Sequence, residues 1–303
     1  MPWLIFAFSG PVLWAASTHI DKYLVEKYFK YGSVAVLMVF TAIIGLLLLP
    51  FIWWFKPQVL NLPFSSILVM ALSGILYMAA ILFYLQALQT EEASAVAPFY
   101  QAAPLFAYAL AYIVLGETLS RIQIFGGLLI VGGAVLLSVR FGGQLKRIRW
   151  RLIILMLSCA FVLALSSVIF KFFAIRDDFW NTTFWTYVGE AVFGVFILAI
   201  PSYFRQFIKM LKSNTSAVLG VNGANELINL GGSLGVRYAI ILAPLSLVQA
   251  ISSTTTLFVF VFGIFLTIFF PSLAKEDLSV KSLAQKGFAA LIIALGVILI
   301  SQV

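Results

Sequence analysis

Five polar residues, Asn222, Glu226, Asn229, Ser233 and Arg237, stand three or four positions apart in an otherwise apolar, glycine-rich run. On a helix that spacing draws them into one stripe. A carboxylate between two amides can hold an ammonium group or carry a proton, and the same groups can instead glue helices together by hydrogen bonds. Glu190 ends the aromatic run FWNTTFWTYVGE and, with Glu226, is the acid set deepest in an apolar stretch. It is a candidate for proton coupling or a hydrogen-bonded packing group. Gln249, Ser253 and Thr256 share a face in the run QAISSTTT, as do Gln101 and Tyr108 beside Pro104. Such groups line a solute path or bond back to their own helix. Trp14, Tyr77 and Tyr84 offer ring faces to amines or aromatic solutes, with lipid-facing placement as the competing reading. His19, the single histidine, is a candidate gate or substrate contact. The mixed charges after it, Asp21, Lys22, Glu26, Lys27 and Lys30, read as a solvated connection.

The composition sets the frame for this chemistry. Of 303 residues, 63% are hydrophobic and 10% charged, with 29 Phe, 11 Tyr and 7 Trp, and the mean hydropathy is +1.09. Such a chain belongs in a bilayer. Apolar runs long enough for a helix to cross ~30 Å of hydrocarbon recur along it, without the two-residue alternation of barrel strands. Punctuation by charge, Pro and Gly predicts ten spans, at about 2 to 20, 33 to 55, 64 to 88, 93 to 115, 121 to 139, 151 to 173, 180 to 200, 216 to 238, 243 to 270 and 283 to 302. The first lacks a basic leader and a cleavage site and reads as a retained span. The net charge of +8 comes from bases in short loops beside spans, which argues against a nucleic-acid partner. One cysteine, Cys159, and one histidine leave no disulfide and no metal-site spacing. HExxH, P-loop and G-x-S-x-G patterns are absent, so neither an enzyme nor a cofactor is expected.

The basic connection RFGGQLKRIRWR, residues 140 to 151, divides the chain into halves 1–142 and 143–303 of five spans each. They look related. WAASTHIDKY (Trp14 to Tyr23) lies on LALSSVIFKF (Leu163 to Phe172), pairing Ser17 with Ser166 and Lys22 with Lys171. ASAVAPFYQAAPLF (Ala93 to Phe106) lies on LSLVQAISSTTTLF (Leu245 to Phe258), and GETLS (Gly116 to Ser120) echoes KEDLS (Lys275 to Ser279). An odd number of spans per half makes the copies inverted, an arrangement that places a substrate site between them near the midplane. The expected fold is therefore an all-α membrane protein of ten transmembrane helices in two inverted five-helix repeats.

The segment APFYQAAPLFAYALAYIVLGETLSRIQIFGGLLIVGGAVLLS, Ala97 to Ser138, resembles the end of an EamA domain: a Pro-interrupted span, a Gly-Glu at its end, then a Gly-rich closing span. The whole chain is similar to the EamA branch of the drug/metabolite transporter superfamily. The resemblance implies transport of small metabolites such as amino acids, often outward, and termini inside the cell. In the second copy FFPSLAKEDLSVKS replaces the compact Gly-Glu turn, so no role passes to Glu276. Most of the 19 Lys and Arg residues lie in loops after odd-numbered spans, which favours termini outside. The expected function is a secondary transporter that exports or exchanges a small polar or amphipathic metabolite, amino-acid-like as a first guess, by alternating access, a monomer or weak dimer in the plasma or inner membrane, with Glu226 its most important residue. The alternatives are proton-coupled efflux of cationic or aromatic compounds through Glu190 or Glu226, and a non-transporting membrane scaffold.

Overall fold

The computed structural model describes residues 2–28, 34–90, 99, 101–138, 150–213, 215–270 and 279–301, and every regular element among them is helical. The first half comprises α1 (Pro2–Tyr28), α2 (Val34–Phe55), α3 (Phe64–Thr90), α4 (Ala103–Leu115) and α5 (Arg121–Ser138). The second comprises α6 (Trp150–Arg176), α7 (Phe179–Ala199), α8 (Pro201–Ser213), α9 (Thr215–Leu242), α10 (Leu245–Ser252), α11 (Thr255–Phe269) and α12 (Val280–Ser301).

Among the described residues, seven segments are long and apolar enough to cross a membrane: α1, α2, α3, α6, α7, the α10–α11 segment and α12. The helices α4 and α5 are apolar but shorter. With 28 residues α9 is long enough, but Asn222, Asn225, Glu226, Asn229 and Arg237 dilute its apolar residues. Large apolar side chains point outward all round, including Ile5, Trp54, Ile113 and Val280. Water would not tolerate so wide an apolar surface, whereas hydrocarbon does.

Three features depart from the sequence expectation. Helix α1 runs on to Tyr28, so Asp21 is part of a helix and not of a solvated connection. The ninth span breaks at a turn over residues 253–254 and restarts at Thr255. The amphipathic helix α8, foreseen by none of the ten runs, fills the stretch between α7 and α9. The Glu276 segment, residues 93–98, most of the basic midpoint connection, and the side chains of Lys22, Glu26, Lys27 and Lys30 lie outside the described residues.

Local chemistry fixes the ends that matter for the interior. Gly116 closes α4 in the left-handed conformation, at φ 68°, which only glycine adopts without strain. Ser120 and Gln123 cap α5 reciprocally, each side chain accepting the other's backbone N–H. Asp178 caps α7 by accepting the N–H groups of Trp180 and Asn181, and it pairs with Lys56.

Helix α1 packs along α9, α3 along α6 and α7, α2 along α7, and α5 along α12. The α3–α7 approach is the one that sets the interior. A Cβ on Gly189 would overlap the Ala71 backbone, and one on Gly74 would come within 2.8 Å of the Glu190 nitrogen. Their bare Cα atoms let the two backbones touch, which holds Glu190 between helices.

Candidate functional site

Helix α9 turns its polar stripe inward. Asn222 is 1% and Glu226 7% exposed, Glu190 on α7 is 1% exposed, and Asn229 and Ser233 are half-buried. Arg237 Nη2 donates to Glu190 Oε1 at 2.5 Å. Its guanidinium lies 4.5 Å from the ring centre of Tyr187, 5.4 Å from that of Phe170 and 5.8 Å from that of Tyr77. An ion pair boxed by three aromatic rings is screened from water and lipid alike.

About three turns along, Glu226 Oε1 accepts the hydroxyl of Thr41 on α2 at 3.2 Å. The adjacent Asn225 donates through Nδ2 to Asp21 Oδ1 at 2.6 Å, and Ser17 donates to the other Asp21 oxygen at 3.4 Å. Asp21 thus faces α9. From Asn222 to Arg237 these groups form a polar column that, at ~1.5 Å per residue, runs ~22 Å along α9. Arg237 Nη1, Tyr187 OH, Asn222 Nδ2 and Asn225 Oδ1 are buried on this column with no hydrogen-bond partner among the described residues.

The remaining candidates sit elsewhere. His19 Nε2 donates to the Val259 carbonyl at 3.0 Å, so it ties α1 to α11. Trp14 packs its ring against Gly10 and Gly232 at the α1–α9 contact. Of the glycines on α9, Gly231, Gly232 and Gly235 meet α1, while Gly220 and Gly223 have nothing within 4 Å of a notional Cβ. Tyr84 packs against two small clusters built on α3, α4 and α6, which include Ala80 and Cys159. Tyr77 reaches the column, its ring centre 5.8 Å from the Arg237 guanidinium. Gln249 donates to Ser167 Oγ at 3.2 Å, and Ser253 bonds back to the Gln249 carbonyl at 3.4 Å. Gln101 is buried at the turn before α4, with Oε1 unpartnered among the described residues.

A second charged cluster closes one end of the bundle. The Lys171 ammonium, 4% exposed, forms an ion pair with Glu117 and donates to the Ala243 carbonyl. Glu117 Oε2 also accepts the Leu245 N–H at 2.8 Å, which caps α10. A single carboxylate therefore joins the ends of α4, α6 and α9 to the start of α10. A cavity of about 420 Å³ lies beside it, lined by Glu117, Lys171, Phe172, Arg176 and Pro244 among others.

Residues 1–139 match the profile of the EamA-like transporter family. The first half of the chain is thus similar to the EamA-like transporter family. With seven segments among the described residues apolar enough to cross a membrane, the match points to a multi-pass integral membrane protein. The EamA resemblance read from Ala97 to Ser138 is thereby upheld. A solved structure described as the crystal structure of a protein superposes with a TM-score of 0.68 over 98% of this chain and 96% of that one, at 16% identity. At that identity the likeness speaks for the fold alone. No protein of curated function matches the chain.

Several residues at the column escaped the sequence reading. Thr41 is a lone hydroxyl in an apolar run and gives no periodic signal. Asn225 stands one position off the stripe, yet a neighbouring helix meets it. Tyr187 could have been suspected, because it lies three residues before Glu190 and so on the same helix face.

Proposed function

We propose that this protein is a secondary transporter that moves a small zwitterionic, amino-acid-like metabolite by alternating access. The carrying observation is the aromatic-boxed Glu190–Arg237 pair with an unused Arg237 donor. This pair has the reversed charges of a zwitterion. A substrate carboxylate fits the unused Arg237 Nη1 donor, and its ammonium group fits Glu190. The rings of Tyr77, Phe170 and Tyr187 supply the surface for an apolar side chain. Glu226, Asn229, Asn222 and Asp21 extend the polar path toward the far end of α9, with Glu226 as the group that receives the ammonium on its way.

Rocking between two states requires two bodies, which we assign to the halves 1–142 and 143–303, ten crossings in all as inverted repeats. The helix breaks support this assignment. Turns at residues 101–102 and 253–254 precede α4 and α11, and the sequence match sets Gln101 on Ser253. The packing supports it too: α1 against α9 has its counterpart in α6 against α3, while α5–α12 and α2–α7 join equivalent helices of the two halves. The Lys171–Glu117 junction is then a lock that holds one end shut.

The test is counterflow in proteoliposomes with amino acids, amines, aromatic cations, nucleosides and sugar nucleotides, run for the wild type and Glu226→Gln. Amino-acid exchange is expected, with loss of transport or of its pH dependence in the variant. Exchange of cations alone would favour proton-coupled efflux, and failure of every solute would favour the scaffold. Normal rate and pH profile in Glu226→Gln would remove Glu226 from the path.

A further inference from the structure

Helix α8 is the one helix whose position the transport reading does not use. It has 13 residues and so spans ~20 Å, too short to cross ~30 Å of hydrocarbon. Its inner face is docked: Phe207 is buried against Phe40, ring centres 5.5 Å apart, and Tyr203 and Leu211 join the same cluster. Its outer face is sorted into two strips. Exposed Phe204 forms an apolar one, bordered by half-buried Ile208, which also packs on that cluster, and Arg205, Lys209 and Lys212, at positions i, i+4 and i+7, form a cationic one. Together these five side chains line a shallow cleft of about 530 Å³. None of the ion pairs among the described residues involves the three bases.

We propose that this cleft binds the headgroup of an anionic phospholipid. The charge and shape of the cleft argue for that occupant. Three bases without an acid partner among the described residues suit a phosphate that carries net charge, and the guanidinium of Arg205 can take two phosphate oxygens at once. The neighbouring Phe204, 48% exposed, and Ile208 suit the first methylenes of the acyl chains. A free phosphate would leave this apolar strip unused. A helix with segregated faces of this kind lies in the interface plane, where lipid phosphates are. Anionic lipid also attracts each base near its surface. The bound lipid holds α8 at the membrane surface and with it the link between α7 and α9, the helices that carry Glu190 and Arg237.

The experiment is native mass spectrometry of the full-length protein, released from nanodiscs that hold phosphatidylglycerol and phosphatidylcholine with the same acyl chains in equal amounts. Phosphatidylglycerol is expected to remain bound in preference, and the preference is expected to fall by up to about a hundredfold in Arg205→Gln/Lys209→Gln/Lys212→Gln. Thermal unfolding in detergent should leave that variant's midpoint near the wild-type value, since all three bases are exposed. Equal retention of the two lipids overturns the proposal, as does a triple variant that keeps the preference. Displacement by inorganic phosphate at concentrations that leave acyl chains unbound also overturns it, because the cleft would then be a phosphate site and not a lipid site.

Discussion

The Glu190–Arg237 pair allows a quantitative test of the interior. Charge centres ~4 Å apart at an effective dielectric of ~20 attract by about 4 kcal/mol. Removing one member of a buried pair costs about 3–5 kcal/mol by an independent route, since the survivor stays desolvated and alone. The rings around Arg237 do not relieve this, because they act equally before and after the change. Glu190→Leu should therefore destabilise by about 3–5 kcal/mol. Arg237→Leu should cost less, because a lone carboxyl can be neutralised by a proton while a guanidinium cannot. The double variant removes both charges and should recover most of the loss, to within about 1–2 kcal/mol of wild type. Equilibrium denaturation in mild detergent measures all four proteins. Transport supplies a second readout, since the double variant should regain stability but not solute exchange. Additive single effects of under about 1 kcal/mol would refute the reasoning, because the pair would then be solvated or formed too loosely to couple.

Other outcomes follow from the same geometry. Gly189→Ala should lower stability by about 1–3 kcal/mol through overlap with α3, whereas Gly220→Ala, with nothing within 4 Å of its Cβ, should be neutral or mildly stabilising in thermal unfolding. Glu117→Gln should cost about 1–3 kcal/mol, because Lys171 loses its buried counter-charge, and Glu117→Gln/Lys171→Met should restore part of that loss in the same assay. His19→Gln should keep a donor for the Val259 carbonyl and leave the pH profile of transport unchanged, while His19→Ala should lower stability. A shifted profile in His19→Gln would instead make the histidine a protonation gate.

The span pattern was legible because helices facing lipid need long apolar runs, and those runs are the strongest signal in the chain. The stripe on α9 was legible for the complementary reason: a carboxylate and two amides spaced by three and four residues must share a face, and that face cannot be lipid. What pairs with the stripe was not legible. Arg237 ends the stripe and Glu190 lies on α7, where the close α3–α7 approach at Gly74 and Gly189 holds it, and no spacing in the sequence announces the pair. Asp21 was misread because its charged neighbours suggest solvent, although α1 keeps its helical phase for two turns beyond and turns this carboxylate toward Asn225. Helix α8 was missed because its mixed composition is neither a span nor a turn, and its amphipathic period carries meaning only beside a membrane surface.

The pattern of satisfied and unsatisfied polar groups bears on whether the column is glue or a path. Elsewhere in the bundle some hydroxyls bond to their own helices, as Thr18 does to the Trp14 carbonyl, Ser252 to that of Val248 and Thr267 to that of Gly263, while Thr183 Oγ1 and Ser246 Oγ are buried without partners among the described residues. Each buried donor or acceptor without a partner costs about 1–3 kcal/mol. The column gathers four of them, Arg237 Nη1, Tyr187 OH, Asn222 Nδ2 and Asn225 Oδ1, among the described residues. These four atoms include donors for a carboxylate and an acceptor for an ammonium group. Along the same column, among the described residues, the acids Glu190, Glu226 and Asp21 outnumber the one base, which favours a solute whose amine is recognised at more than one depth. A scaffold gains nothing from that excess, whereas a carrier that hands an ammonium group from one carboxylate to the next requires it.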